Sequence, residues 1–346
     1  MKKIIFYNFV IFITLYISVE VLSGSLIFKK KLNCSYLMCN KTYNFVTPFD
    51  FYKDKKEVIY SRDKYGFRGR FKDFDKIDIL TVGGSTTDER FLKLSDTWSE
   101  KLESKLNLNL NNIDVVNAGI DGQSTYGHIW NFEEWFPKID NLKPRYILFY
   151  IGINERLNLM HYDNHYGVEI NRNLLRKIKY YIKKNNGITY KLIHHIYKKF
   201  ILNDKYIVNS GVSHVKREAN YRLVNEEYSL SKEYEIYLYR NLKAIYEYSK
   251  EIGSEPIFIT QKTLLGKYEN QKYLSIDKIN NYLHEKYIAE IIINFCSLYK
   301  VKCLNLNNNL DFLEEDMYDL VHTSPSGSEK IAQYIYLELK DYLILN

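Results

Sequence analysis

The stretch Ile77-Asp78-Ile79-Leu80-Thr81-Val82-Gly83-Gly84-Ser85-Thr86-Thr87-Asp88 reads as a buried strand running into a small-residue turn. Apolar residues at Ile77, Ile79, Leu80 and Val82 favour a strand covered on both faces. Gly83 and Gly84 permit a sharp turn and close approach of another backbone or a ligand. A helix signal follows, with Asp96 or Thr97 as cap, Glu100 shortly after, and Leu102 and Leu106 at helical spacing. The hydroxyl of Ser85 is thereby offered at the C-terminal end of a strand ahead of a helix, where open α/β sheets place their ligands.

Outward from this stretch, strands and helices alternate. The strand at 77–84 leads to a helix at 97–107, and a strand at 113–118 leads to a helix at 125–138. A third strand spans 146–151. A long helix at 231–252 precedes a strand at 256–260, a helix at 275–300 precedes a strand at 301–306, and a helix at about 326–343 closes the chain. Such alternation argues for an α/β fold, a parallel sheet with helices on both faces. At 346 residues the chain suffices for one large domain with insertions, and 46% hydrophobic with 26% charged residues excludes disorder for its bulk. The expected organisation is an N-terminal segment at 1–30, an irregular lead-in at 31–76 and a main domain at 77–346 interrupted at about 156–230.

In the first segment, Lys2 and Lys3 precede an uncharged apolar run from Ile4 to Val19, and after Glu20 the run continues from Val21 to Phe28. A secretory apolar region is usually shorter, so the expectation is an uncleaved membrane anchor. Cleavage after the small residues Ser23 and Ser25, or a buried core helix, are the alternatives. Lysines at 29–31 balance those at 2 and 3, so orientation is not encoded cleanly. The four cysteines fall into two local pairs, Cys34 with Cys39 and Cys296 with Cys303. Two disulfides would suit an extracytoplasmic location, and unpaired thiols packed as small apolar residues are the alternative. Neither spacing suits zinc.

The interruption is basic and aromatic: residues 171–203 carry nine Lys or Arg and no Asp or Glu. Two amphipathic helices are expected, with Leu174, Leu175, Ile178, Tyr181 and Ile182 on one face of the first. Leu192, Ile193, Ile196, Tyr197 and Phe200 line the second, and Asn185-Asn186-Gly187 turn between them. A cap over the site, a surface against anionic lipid, a cradle for an acidic polymer, and a packed pair with a solvated lysine face all fit. His194 and His195 lack carboxylates in register and read as helix-surface residues. The net charge of +7 alone does not make a nucleic-acid reader, and none is expected.

Four strand ends carry the informative polar residues. They are Gly83-Gly84-Ser85-Thr86-Thr87, Asn117-Ala118-Gly119-Ile120-Asp121-Gly122-Gln123-Ser124, Gly152-Ile153-Asn154-Glu155, and Asp319-Leu320-Val321-His322 followed by Thr323-Ser324-Pro325. Singly each is a common helix cap or turn. Together and in this order they resemble the SGNH (GDSL-type) hydrolase superfamily, whose four blocks carry Ser, Gly, Asn and His with Asp three residues before His. The resemblance covers roughly residues 60–343, with 156–230 as an insertion. Gly-Gly-Ser-Thr-Thr stands where the family has Gly-Asp-Ser-Leu, which keeps the serine and drops an acidic neighbour. The N-terminal anchor, the lead-in Gly66-Phe67-Arg68-Gly69 and the Gly-Gly-Ser turn are similar to envelope-associated branches. Arg68 is expected to meet a carboxylate that the sequence leaves unnamed.

The resemblance implies a flavodoxin-like, three-layer α/β/α sandwich and a serine esterase working through an acyl-enzyme. Ser85 would be the nucleophile, His322 the base that takes its proton, and Asp319 the carboxylate that fixes the imidazole tautomer. The oxyanion donors implied are the backbone N–H of Ser85, the backbone N–H of Gly122 and the side-chain amide of Asn154. Gly122 is preferred to Gly119 because Gly-Gln-Ser matches the family block. The expected substrate is an O-acyl ester, O-acetyl foremost, on an envelope carbohydrate, with a domain held outside the cytoplasm by the membrane helix. No cofactor and no metal are expected.

An O-acyltransferase with the same residues, a lipid-directed esterase or thioesterase, and a non-catalytic tethered binding module are the competing readings. Other enzyme motifs are missing: Thr87 stands where Gly-x-Ser-x-Gly needs glycine, and no Gly-x-Gly-x-x-Gly or Gly-Lys-Ser/Thr loop follows a strand.

Overall fold

A computed structural model describes residues 2–23, 32, 34–52, 57–69, 77–109, 112–155, 187–188, 192, 221–223, 230, 232–270, 272–275 and 281–345. The chain divides into two compact units, Met1–Leu32 with Asp163–Ser213 and Asn33–Tyr162 with His214–Asn346. The expected amphipathic helices of the basic interruption, and His194 and His195, lie outside the described residues, apart from isolated positions.

In the first unit, helix α1 spans Lys2–Ser23, 22 residues, or about 33 Å at the helical rise. That length matches a bilayer's hydrocarbon core of roughly 30 Å. Thr14 and Ser18 donate their hydroxyls to the carbonyls of Val10 and Thr14, four residues back, so neither needs water. The helix is long and apolar enough to cross a membrane, and its apolar side chains are exposed.

The second unit is built on a five-stranded parallel sheet. Its strands are β3 (Ile79–Gly83), β4 (Val115–Asn117), β5 (Tyr146–Ile151), β7 (Glu255–Thr260) and β10 (Cys303–Leu304), in the order β10-β7-β5-β3-β4. Every residue of β3 and β5 is buried, as strands covered on both faces require. Helices α4 (Trp98–Leu106) and α9 (Pro325–Leu345), the latter following the one-turn α8 (Leu306–Asn309), pack on one face. There Trp98, Leu102, Leu106, Ile331, Ile335 and Leu339 meet Ile79, Tyr146, Leu148, Tyr150 and Ile257. Alternate strand residues point the other way, toward α5 (Thr125–Trp130), α6 (Lys232–Glu251) and α7 (Asn281–Tyr299). On that face Phe149 stacks on Phe258, and Phe258 meets Phe295 edge-on.

The chain starts the sheet at β3, places β4 on one side, then crosses to β5 on the other. The order reverses at the C-terminal end of β3, so a crevice opens there. Thr97 is the cap of α4, accepting from the Glu100 N–H. The expected 125–138 helix is α5 followed by a wide turn at Asn131–Trp135 and a tight one at Phe136–Lys138. Pro137, lacking an N–H, cannot continue an α-helical ladder.

Two expectations need correction. The lead-in is not irregular: β1 (Lys41–Val46) and β2 (Glu57–Arg62) form an antiparallel hairpin. The short helix α2 (Cys34–Leu37) precedes it, and a Cys34–Cys39 disulfide closes that turn, whereas Cys296 and Cys303 are free thiols. Arg68 extends the hairpin's reach by pairing its backbone with Arg62 and, on the outer edge of β4, with Asn117. Second, the helix expected from 275 begins at Asn281, and Lys272–Ser275 is strand β9. It pairs with β8 (Gly266–Glu269) and with β6 (Arg222–Leu223) in a small antiparallel sheet. Asn270, in the left-handed region at φ +50°, makes the turn between β8 and β9.

Candidate active site

Ser85 opens α3 (Ser85–Asp88), a single turn at the end of β3. The Gly84 carbonyl accepts the N–H groups of Thr87 and Asp88, and the Glu89 N–H returns to the Ser85 carbonyl at 2.8 Å. The turn is thus closed on the serine itself, whose side chain is left half-buried at the crevice.

The loop ahead of α9 brings the other two predicted residues to it. A bridge between Met317 and Thr323 and the Tyr318 N–H to the His322 carbonyl (3.0 Å) close this loop. The His322 Nε2 stands 2.8 Å from Ser85 Oγ, and its Nδ1 stands 2.7 Å from Asp319 Oδ2. Asp319 Oδ1 accepts the backbone N–H groups of Val321 and His322, both at 2.7 Å. A spacing of three therefore lets one carboxylate fold its own loop with one oxygen and hold the imidazole with the other. The Tyr318 ring lies parallel to the imidazole, centroids 5.5 Å apart.

The electrostatics follow from burial against partners. Burial pulls the His322 pKa down, but the hydrogen bond and charge of Asp319, with the charge of Asp121, outweigh it and raise it above the ordinary 6.5. Burial pushes Asp319 up, yet the bond and charge of His322 and the backbone donors leave it below the ordinary carboxylate value. The pair is thus arranged to hold a proton on imidazole, the form a general base reaches after taking one from a serine.

The remaining predicted residues surround the same strand end. Asn154 follows β5, and its Nδ2 donates to the Gln123 carbonyl at 2.8 Å. That nitrogen lies 2.0 Å from where a Cβ on Gly84 would sit, so the absence of a side chain at 84 admits the amide beside Ser85. Gly122 has φ +74°, and among the described residues no atom lies within 4 Å of where its Cβ would sit. Gly119 differs, since its N–H is engaged by Asn117 Oδ1 at 2.8 Å and its Cα faces the backbone of Thr87 and Asp88. Of the two glycines, Gly119 packs the turn and Gly122 meets none of the described residues on its Cβ side.

Beneath α3 lies a charge cluster that the sequence reading did not assemble. Asp88 accepts from Arg62 Nη2 at 2.7 Å and from the Tyr60 hydroxyl at 3.0 Å, with Arg90 at 3.7 Å. Arg62 also donates to the carbonyls of Gly66 and Gly119, both at 2.6 Å. Arg68 donates to the backbone carbonyls of Asp88 and Leu92 rather than to the side-chain carboxylate expected of it. Burial raises Asp88, and the charges of Arg62, Arg90 and Arg68 more than reverse it. The signal was available: Asp88-Glu89-Arg90 directly after a buried strand and a tight turn must find buried partners.

Two further buried carboxyls adjoin the predicted residues. Glu89 accepts from the Trp98 N–H at 2.7 Å, from Thr323 Oγ1 at 2.9 Å and from Ser328 Oγ. Glu155, next to Asn154, accepts from the N–H and hydroxyl of Thr125. Burial outweighs these donors and raises each to about 7.

No family model matches the chain, and no curated protein does. Among solved structures, it is similar to a member of the lipolytic protein G-D-S-L family from Veillonella parvula. That match has 13% identity and a TM-score of 0.42, and covers 75% of this chain and 97% of that one. It is also similar to a catalytic mutant of Axe2, an acetylxylan esterase from Geobacillus stearothermophilus, at 13% identity and a TM-score of 0.45, covering 78% and 96%. A third is a G-D-S-L family protein from Desulfitobacterium hafniense, at 12% identity and a TM-score of 0.41, covering 75% and 98%.

Proposed function

We propose that this chain is a membrane-anchored serine esterase of the SGNH type, removing O-acyl groups, chiefly O-acetyl, from a cell-envelope carbohydrate. The observation that carries the reading is the hydrogen-bonded run Ser85–His322–Asp319, at 2.8 and 2.7 Å. A serine hydroxyl is a weak nucleophile until a base takes its proton, and that is the arrangement which supplies one.

As Ser85 Oγ bonds to the acyl carbon, its proton passes to His322 Nε2, and Asp319 accepts from Nδ1–H throughout. The carbonyl oxygen becomes an oxyanion facing the N–H groups of Ser85 and Gly122 and the Asn154 amide. His322 then protonates the departing sugar oxygen as the acyl–oxygen bond breaks. Water repeats the sequence, giving its proton to His322 and releasing the carboxylic acid and free Ser85. Helix α1 supports the anchor. The envelope carbohydrate rests on the resemblance to anchored members with the same Gly-Phe-Arg-Gly lead-in.

The test uses the full chain in detergent beside its Ser85→Ala variant. Fluorophosphonate labelling and p-nitrophenyl acetate turnover present in the first and lost in the second are the expected results. Equal signals from both, or none from a folded wild type, refute the reading.

A further inference from the structure

We propose that Glu89 is a positioning residue that clamps the His322 loop to the serine turn through the hydroxyls of Thr323 and Ser328. The inference rests on the esterase reading above and adds a residue that the four blocks do not contain.

Glu89 is the residue after α3, in the left-handed region at φ +46°. Its backbone N–H bonds the carbonyl of Ser85, so the residue is fixed to the nucleophile's own peptide unit. Its side chain turns away from solvent and reaches two other elements. Oε2 accepts the N–H of Trp98, the first residue of α4 (2.7 Å), and Oε1 accepts the hydroxyl of Thr323 (2.9 Å) and that of Ser328. Thr323 is the immediate neighbour of His322, and Ser328 lies in the first turn of α9, with its hydroxyl 3.0 Å from that of Thr323. All three side chains are buried. One carboxyl thus joins the turn bearing Ser85 to both ends of the segment that follows His322.

The need for such a clamp is geometric. Ser85 and His322 are 237 residues apart in sequence, and among the described residues no strand pairing joins their loops. A 2.8 Å contact between side chains on two loops survives only if the loops are held to each other independently of it. Displacement of a reacting group by about 1 Å costs on the order of 100-fold in rate. The two hydroxyls also make the clamp indifferent to proton count. Each hydroxyl can donate to a carboxylate oxygen or accept from a carboxylic acid proton, while the Trp98 N–H needs only an acceptor at Oε2. An amide satisfies the same pattern, with its oxygen toward Trp98 and its NH₂ toward Thr323 and Ser328.

The test compares Glu89→Gln, Glu89→Ala and Thr323→Val in the full chain with p-nitrophenyl acetate, Ser85→Ala serving as the blank. Glu89→Ala is expected to lower kcat about 10- to 100-fold with KM within about twofold, and Glu89→Gln to keep most of the wild-type kcat. Fluorophosphonate labelling should slow in parallel, since it needs the same Ser85–His322 contact. Thr323→Val removes one hydroxyl without opening a cavity, so it stays informative if Glu89→Ala fails to fold. It too should lower kcat and leave KM. Wild-type kcat in folded Glu89→Ala or in Thr323→Val, with the Ser85→Ala blank inactive, overturns the clamp and leaves the esterase reading standing. Turnover that persists in Ser85→Ala overturns the esterase reading and the clamp with it.

Discussion

The side-chain amide of Asn154 donates to the backbone carbonyl of Gln123 at 2.8 Å, tying the loop after β5 to the loop after β4. An amide nitrogen carries two hydrogens, so a bond that fixes one also aims the other. The nitrogen sits over Gly84, one residue before Ser85, where the oxyanion of an attacked ester would form. Removing the donor should therefore cost transition-state stabilisation, together with the tie to the Gln123 carbonyl. Asn154→Ala is expected to lower kcat by about 100- to 1000-fold, equivalent to about 2.7–4 kcal/mol, with KM for p-nitrophenyl acetate nearly unchanged. Steady-state kinetics on the folded variant checks this, and a rise in KM alone would remove Asn154 from the oxyanion role.

The raised His322 and lowered Asp319 fix the sign of the pH dependence. The base must be neutral to act, so kcat/KM should rise with pH around a midpoint above 6.5, the ordinary imidazole value. Asp121→Asn removes a charge that lifts the imidazole and should move the midpoint down. Asp319→Asn should move it further and cost about 10³- to 10⁴-fold in kcat. The same shifts act on stability. The His322 contribution is fully present below 6.5 and lost as pH rises through its higher folded value. The Asp319 contribution is present above its ordinary 3.8 and lost as pH falls through its lower folded value. A pH–rate profile for the three proteins checks the order of the midpoints.

The parts of this arrangement that sequence reveals are those whose pattern is local. The run Tyr146–Ile151 is β5 to the residue, because a strand buried on both faces reads as a near-continuous apolar stretch. Asp319 and His322 are legible because three residues of loop suffice to join them. The lead-in hairpin was not, because Lys41–Val46 has no clean alternation, and what fastens the lead-in is Arg68 on Asn117 and Arg62 on Asp88, contacts with no sequence period. Glu89 was hidden for a related reason. Its place between Asp88 and Arg90 calls for a buried partner without naming one, and only the approach of Thr323 and Ser328, more than 200 residues on, gives it a role.

Glu285 isolates the effect of a half-buried carboxyl whose hydrogen bonds run to Thr263 and Asn307. It accepts the Thr263 N–H at 3.1 Å and the Asn307 amide at 2.9 Å, yet burial outweighs these donors and raises it from 4.5 to about 7. The folded state therefore holds this proton more tightly than the unfolded chain. Its contribution to stability is complete below 4.5 and is lost as pH rises through about 7. Glu285→Gln has no proton to lose. Relative to the wild type it should gain up to about 3 kcal/mol between pH 4.5 and pH 8. Urea unfolding of both proteins at those two pH values measures the difference, and a pH-independent gap would contradict the assignment.

Arg62 carries the heaviest structural load beneath the serine turn. Its guanidinium spends Nε on the Tyr60 hydroxyl, Nη1 on the Gly66 carbonyl, and Nη2 on Asp88 and the Gly119 carbonyl. Both side chains of the Arg62–Asp88 pair are 1% exposed, so removing one partner strands the other without water. Arg62→Met should destabilise by about 3–5 kcal/mol, and Arg62→Lys should recover little, because an ammonium cannot reach four acceptors set around a planar fork. Asp88→Asn strands Arg62 in turn. The double variant Arg62→Met/Asp88→Asn removes both charges and should cost less than the two single changes added, with a coupling of about 1–3 kcal/mol. Additive costs across this cycle would mean that Arg62 acts through its two carbonyl acceptors and not through Asp88. Asp88 ends the turn that Ser85 begins, so p-nitrophenyl acetate turnover should fall in the single variants and recover in part in the double.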